Sequence, residues 1–117
     1  MRNSACGRGH RVAVDRLACT AAAVMLFAVA EPTRAATHTV TIDGTAFAPA
    51  TLQVARGDRV VWVNRDPFPH TVTASDKSFD SGGMDADKQW VLVATKAGHF
   101  DYRCRFHPTM KGSLDVL

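Results

Sequence analysis

Cysteine is scarce in this chain, which has 117 residues and only three cysteines. Cys6 and Cys19 lie near the N-terminus, so Cys104 is the only cysteine between residues 37 and 117. A disulfide within that part of the chain is therefore excluded. In an oxidising compartment a single cysteine either pairs between chains or has another task, such as binding a metal as its thiolate.

Long hydrophobic runs are also missing. The longest, residues 17–30, has 14 residues and is too short to cross a bilayer comfortably. It follows a stretch with four arginines and ends in Ala28-Val29-Ala30, which fits the small-x-small rule for cleavage, and this is the order found in secretory signal peptides. We expect residues 1–36 to be a signal peptide, cleaved after Ala30, Ala35 or Ala36, and the remaining domain to be exported to the periplasm. The chain has no Arg-Arg pair that would indicate twin-arginine export.

The expected domain, residues 37–117, lacks an excess of charge of either sign. The formal net charge of +3 comes from residues 1–36, where five arginines are opposed by Asp15 and Glu31. Between residues 37 and 117, nine basic side chains balance nine aspartates. The basic character of the whole chain is thus no argument for nucleic-acid binding, and we expect no stable membrane insertion.

Short strand patterns fill residues 37–117. β-Branched and aromatic residues alternate with polar ones, Gly, Pro and Asp separate the segments, and no helical periodicity is present. About seven such strands predict an all-β fold, an antiparallel β-sandwich. In the strand that leads to Cys104, the period of two places Phe100, Tyr102 and Cys104 on the face toward the core.

A cluster of metal-binding residue types follows this strand. Cys104, His107 and Met110 have Cys-x2-His-x2-Met spacing, and His70 follows Pro69 between two upstream strands. Taken singly, a lone Cys or Met is more often core filling than a ligand. A trigonal His2Cys set with a weak axial Met is, however, the arrangement of blue-copper electron-transfer sites. The combination therefore favours a copper site with His70, Cys104, His107 and Met110 as ligands.

The domain resembles the cupredoxins, and among them the amicyanins. The resemblance is carried by residues 61–66 (VWVNRD), Pro69-His70, residues 79–82 (FDSG), residues 98–102 (GHFDY) and the two-residue gap between His107 and Met110. It implies a Greek-key β-sandwich with one type 1 copper ion bound by the four ligands. It also implies that Asn64 hydrogen-bonds between the two ligand loops and holds them in register; the alternative is an ordinary turn asparagine.

The resemblance further implies an electron carrier that is not an enzyme and acts as a monomer. Its partners would be redox proteins, with an amine dehydrogenase or another periplasmic dehydrogenase as donor and a c-type cytochrome as acceptor. Arg105-Phe106 replaces the Thr-Pro expected in the amicyanin loop, so the partner-facing surface is specific to this chain. We expect it to consist of Phe68, Pro69, Phe106, Pro108 and Arg105. Basic residues around it would attract an acidic partner; the alternative is ordinary solvated charge.

Two other functions use copper and a similar set of ligands. A periplasmic copper carrier or resistance protein would bind and deliver copper, but such proteins are usually richer in Met or His. Residues 37–117 contain only Met84 and Met110, and we expect Met84 to be exposed. A multicopper oxidase needs His-x-His pairs, none of which occurs, and a dinuclear electron-entry site needs a second cysteine.

Overall fold

The structure is a computed structural model that describes residues 22–117. The basic start of the expected signal peptide lies outside these residues. Residues 22–36 have no regular secondary structure, and residues 32–117 form one compact unit. No helix within the described part of the chain is long and apolar enough to span a membrane.

Eight strands make up this unit, and each contains at least one β-branched or aromatic residue. They are β1 (Thr37–Asp43), β2 (Ala46–Ala48), β3 (Thr51–Val54), β4 (Arg59–Asn64), β5 (Thr73–Ala74), β6 (Gln89–Val93), β7 (Gly98–Arg103) and β8 (Lys111–Val116). The prediction of an all-β fold is confirmed for the residues that the structure describes.

The strands form two four-stranded sheets, one in the order β2-β1-β4-β6 and the other in the order β3-β8-β7-β5. Both sheets are mixed, because β1 pairs in parallel with β4 and β3 pairs in parallel with β8. The prediction of purely antiparallel sheets was therefore wrong. Between β1 and β4 the chain passes through β3 in the other sheet, and this crossover lets β4 return in the same direction as β1.

The core lies between the sheets and is built from alternate residues of the strands. The period of two predicted for β7 is confirmed, since Phe100, Tyr102 and Cys104 are buried while the residues between them are exposed. Trp62 of β4 is fully buried and meets Tyr102 edge-on at 5.5 Å between ring centroids. Because Cys104 directly follows β7 on its inner face, the same packing fixes where the cysteine sulfur points.

The outer face of β7 carries a histidine between two carboxylates. His99 Nδ1 lies 2.6 Å from Asp115 Oδ1 and His99 Nε2 lies 3.0 Å from Asp101 Oδ1. The hydrogen bonds with Asp115 and then Asp101 raise the pKa of His99 above its ordinary value of 6.5.

This raised pKa predicts a pH-dependent contribution to stability. Because the folded state binds the proton more tightly, His99 stabilises the fold fully below pH 6.5, and the contribution disappears as the pH rises through the raised pKa. We expect His99→Gln to lower the thermal midpoint at pH 5.5 and to have little effect at pH 9. A difference between the two proteins that does not change with pH would contradict the prediction.

Candidate metal centre

Three side chains converge at one end of the sandwich. His70, Cys104 and His107 each offer one ligand atom, and these atoms lie within 4.8 Å of one another. Cys104 Sγ is 3.7 Å from His70 Nδ1 and 3.8 Å from His107 Nδ1. His70 and Cys104 are fully buried, whereas His107 is half-buried.

The spacing of these donor atoms fits a trigonal metal ion. Metal–sulfur bonds of about 2.3 Å and metal–nitrogen bonds of about 2.0 Å, at an angle near 120°, separate the two donor atoms by about 3.7 Å. The two sulfur–nitrogen distances therefore match those of a single trigonal ion bound by the sulfur and both nitrogens. One thiolate and two imidazoles are the equatorial donors of a blue-copper site.

The loop that carries Cys104 and His107 is closed by its own backbone. The N–H of Cys104 donates to the carbonyl of Met110 at 3.1 Å, and the N–H of Met110 donates to the carbonyl of His107 at 2.9 Å. Two residues separate Cys104 from His107 and two separate His107 from Met110, and this short spacing suits a tight loop. Met110 is buried, at 2% exposure, where the loop enters β8.

His70 is held in place by the chain segment around Met84. The N–H of His70 donates to the carbonyl of Met84 at 3.1 Å, and the N–H of Met84 donates back to the carbonyl of His70 at 2.8 Å. Met84 is 4% exposed. The prediction that Met84 is exposed was wrong, because this backbone pairing draws a Gly- and Asp-rich segment against the ligand.

A family model described as a cupredoxin-like domain matches residues 16–116. The chain belongs to this family. His70, Cys104 and His107 are thus positioned as the type 1 copper site of a cupredoxin.

Two amicyanins are relatives of this cupredoxin. The amicyanin of Paracoccus denitrificans is 34% identical over 70 residues, which are 56% of this chain and 53% of that protein. The amicyanin of Paracoccus versutus is 31% identical over 68 residues, covering 54% and 52% respectively. The chain therefore spans about half the length of the curated relatives it matches. The predicted resemblance to amicyanins is confirmed.

Solved structures give the same result. An amicyanin variant with Cu(I) is 30% identical with a TM-score of 0.65, over 69% of this chain and 82% of that one. A copper-containing nitrite reductase from Thermus scotoductus is 28% identical with a TM-score of 0.66, over 69% of this chain and 22% of the reductase. The same domain is thus similar both to a small copper protein and to one part of a larger enzyme.

Asn64 lies where the sequence predicts, close to the ligands, but its hydrogen bonds differ from the prediction. Its amide nitrogen donates to the carbonyls of Phe68 at 2.9 Å and Met84 at 3.0 Å, and its amide oxygen accepts the N–H of Asp66 at 3.0 Å. Asn64 therefore organises the segments around His70. None of these three bonds reaches the loop of Cys104 and His107.

Thr71 joins the two ligand loops instead. Its backbone N–H donates to Cys104 Sγ at 3.3 Å, and its hydroxyl oxygen accepts the N–H of Arg105 at 2.8 Å. The sequence did not indicate this role of Thr71, because threonine is a common residue in β-strands. Its position directly after His70 was the only available signal.

Removing the Thr71 hydroxyl tests this link. Thr71→Val keeps the shape and the backbone N–H, but leaves the N–H of Arg105 without its acceptor. We expect the free energy of unfolding to fall by about 1–3 kcal/mol and copper to be released faster to a chelator. Thr73→Val is the control, since the Thr73 hydroxyl bonds to Thr71 and Asp80 but not to the ligand loop. Equal effects of the two substitutions would contradict the assignment.

The predicted partner-facing residues are all exposed, and one of them lies beside the half-buried imidazole of His107. Phe68 and Phe106 are 43% and 53% exposed, and Pro69, Pro108 and Arg105 are also exposed. The Phe68 ring lies 5.9 Å from the His107 ring between centroids. Arg105 Nη2 is 3.5 Å from Asp80 Oδ2, an exposed ion pair that offsets part of its charge. The rim is therefore less basic than its sequence indicates.

Proposed function

We propose that this chain is a small exported blue-copper protein that carries single electrons between redox partners. The observation that supports it best is the unequal burial of the ligands. His70 and Cys104 are closed off from water, while His107 is half-buried beside the exposed ring of Phe68. A site that is closed on the inside and open at one imidazole suits electron exchange and leaves little room for a substrate.

The protein's part in this function is to hold the donor atoms still. Bound copper supplies the one-electron chemistry by cycling between Cu(II) and Cu(I), and we propose Met110 as its axial ligand. The bonds that close the loop from Cys104 to Met110, together with those of Thr71, would hold the donors in one arrangement when copper is bound. Little rearrangement then accompanies each electron.

The patch formed by Phe68, Pro69, Phe106 and Pro108, with Arg105 at its rim, is the proposed docking surface. Apolar side chains around a redox centre exclude water on contact, and the arginine favours an acidic partner. A periplasmic dehydrogenase, such as an amine dehydrogenase, is the proposed donor and a c-type cytochrome the proposed acceptor. Export through residues 1–36 and a monomeric state belong to the same proposal.

The absorption spectrum of the purified protein after Cu(II) loading tests the function. We expect an intense band in the red that ascorbate bleaches and air or ferricyanide restores, and electron exchange with a c-type cytochrome that slows as salt is added. A weak band with copper still bound, or preferential and labile Cu(I) binding, would support the alternative of a copper carrier. In that case the electron-transfer proposal would have to be abandoned.

The axial role of Met110 gives a second test. We expect Met110→Gln to retain copper and the blue band but to lower the reduction potential, because the amide oxygen is a harder donor that favours Cu(II). Met84→Gln is the matched control, since Met84 is the other buried methionine of residues 37–117 and its bonds to His70 are made by the backbone, which the substitution keeps. It should reduce fold stability and leave the potential near that of the wild type. An unchanged potential in Met110→Gln would exclude Met110 as the axial ligand.

A further inference from the structure

A buried carboxylate contacts the far side of a copper ligand. Asp66 is 5% exposed, and its Oδ2 atom lies 2.7 Å from His70 Nε2. His70 Nε2 is the ring nitrogen on the opposite side from Nδ1, which faces Cys104 Sγ at 3.7 Å. Nothing in the function proposed above uses this contact.

Asp66 is fixed by a turn that is distant in sequence. Its Oδ1 atom accepts the N–H of Gly44 at 2.8 Å, and its Oδ2 atom also accepts the N–H of Thr45 at 2.9 Å. Gly44 and Thr45 connect β1 to β2 and have φ angles of 60° and 59°. Left-handed conformations at two consecutive residues direct both N–H groups to one side, where they form a cradle for an anion.

The contacts of this carboxylate indicate where the proton of His70 lies. Its two oxygens accept the backbone N–H groups of Gly44 and Thr45, and the oxygen that accepts from Thr45 is also the one that contacts His70 Nε2. A carboxylate that accepts backbone N–H groups on both oxygens is an acceptor for its third partner as well. His70 Nε2 must therefore carry the proton, which leaves the lone pair on Nδ1, the nitrogen that faces the cysteine sulfur.

We propose that Asp66 is a positioning residue for the copper ligand His70, fixing its tautomer and ring orientation from the turn between β1 and β2. The inference rests on the proposed function, because it assumes that His70 binds copper through Nδ1. A carboxylate bonded to the outer nitrogen of a ligating histidine makes that ligand more basic. The negative charge also favours Cu(II) over Cu(I), so Asp66 lowers the reduction potential of the site.

The chain contains a matched control at the other end of β4. Asp58 is 6% exposed and accepts the backbone N–H groups of Ala36 at 2.9 Å and Ala55 at 3.0 Å. Its Oδ2 atom lies 2.9 Å from His38 Nε2. In a protein that begins at Glu31 and so keeps Ala36 within the chain, Asp58 has the same set of partners as Asp66, a histidine and two backbone amides, but its histidine does not belong to the metal centre.

The experiment compares Asp66→Asn with Asp58→Asn in the copper-loaded protein. Each substitution removes one negative charge and replaces one carboxylate oxygen by an NH2 group, which cannot accept the backbone N–H. We therefore expect similar losses of fold stability. Only Asp66→Asn should raise the reduction potential in voltammetry, and only it should speed copper release to a chelator, by about 10–100-fold. A folded Asp66→Asn protein that takes up no copper would support the proposal, whereas equal potentials and release rates in the two variants would overturn it.

The wild-type protein provides a measurement that does not depend on a variant folding. In the diamagnetic Cu(I) form, nuclear magnetic resonance of the histidine nitrogens should show a proton on His70 Nε2 that exchanges slowly with water. A proton on Nδ1 instead would overturn the inference. The wild-type absorption spectrum distinguishes a failure of the proposed function from a failure of this inference. If the wild type shows no blue band, the blue-copper proposal is wrong; if it shows the band, the comparison of variants tests Asp66 alone.

Discussion

Cys104→Ser is expected to abolish the intense visible absorption of the copper-loaded protein. The band arises from charge transfer between a thiolate sulfur and Cu(II), and Cys104 is the only cysteine of residues 37–117. Its sulfur lies between the two imidazoles and accepts the N–H of Thr71 at 3.3 Å. A serine hydroxyl is smaller, harder and protonated at neutral pH, so it replaces neither the donor nor the charge.

Copper affinity should fall along with the colour. Loss of an outer hydrogen-bond partner of a ligand costs about 10–100-fold in affinity, and loss of the ligand itself should cost at least as much. Absorption and copper titration of Cys104→Ser check both effects. Thr109→Ser is the control, because Thr109 is an exposed residue of the same loop, and it should keep the wild-type spectrum. A blue band in Cys104→Ser would exclude the cysteine as a ligand and with it the blue-copper assignment.

The sequence predicted the equatorial ligands because the information is local. The period of two in β7 turns Cys104 inward, and the two-residue spacing brings His107 back to the same point. His70 was found from its place between two strands and from the family resemblance. These signals depend on a few neighbouring residues. The buried position of Cys104 in the structure agrees with the position that the pattern predicts.

The contacts that support the ligands were not predictable in the same way. Thr71 acts through its backbone N–H and its hydroxyl, and Asp66 acts through a turn 22 residues away. Neither has a residue pattern that distinguishes it from an ordinary strand or loop residue. The parallel pairing of β1 with β4 was missed for a related reason, since it depends on the chain crossing to the other sheet between them.

Gly112 in β8 shows how a close contact that the sequence does not reveal controls stability. It pairs with Tyr102 across the β7–β8 ladder, and a Cβ atom at Gly112 would lie 2.5 Å from the tyrosine oxygen and 2.7 Å from Cε2. Tyr102 is 2% exposed, and its ring is enclosed by Phe47 and Trp62 at centroid distances of 4.8 Å and 5.5 Å. A Cβ atom at Gly112 would therefore have to displace the tyrosine ring from these two aromatic neighbours or move β8.

We expect Gly112→Ala to destabilise the fold by about 1–3 kcal/mol or more, the usual cost of overpacking a core. In a domain of this size each kcal/mol lowers the thermal midpoint by roughly 4–8 °C, so the loss is easily measured by thermal unfolding of the copper-free protein. Gly83→Ala is the matched control, because its added Cβ would meet only the Phe106 ring at 4.0 Å. A Gly112→Ala midpoint equal to that of Gly83→Ala would mean that β8 moves away from Tyr102 at little cost. Since β8 directly follows Met110, such movement would also reach the ligand loop and change the reduction potential. If β8 is rigid instead, Gly112→Ala should be less stable than the wild type, but its folded fraction should have the same reduction potential.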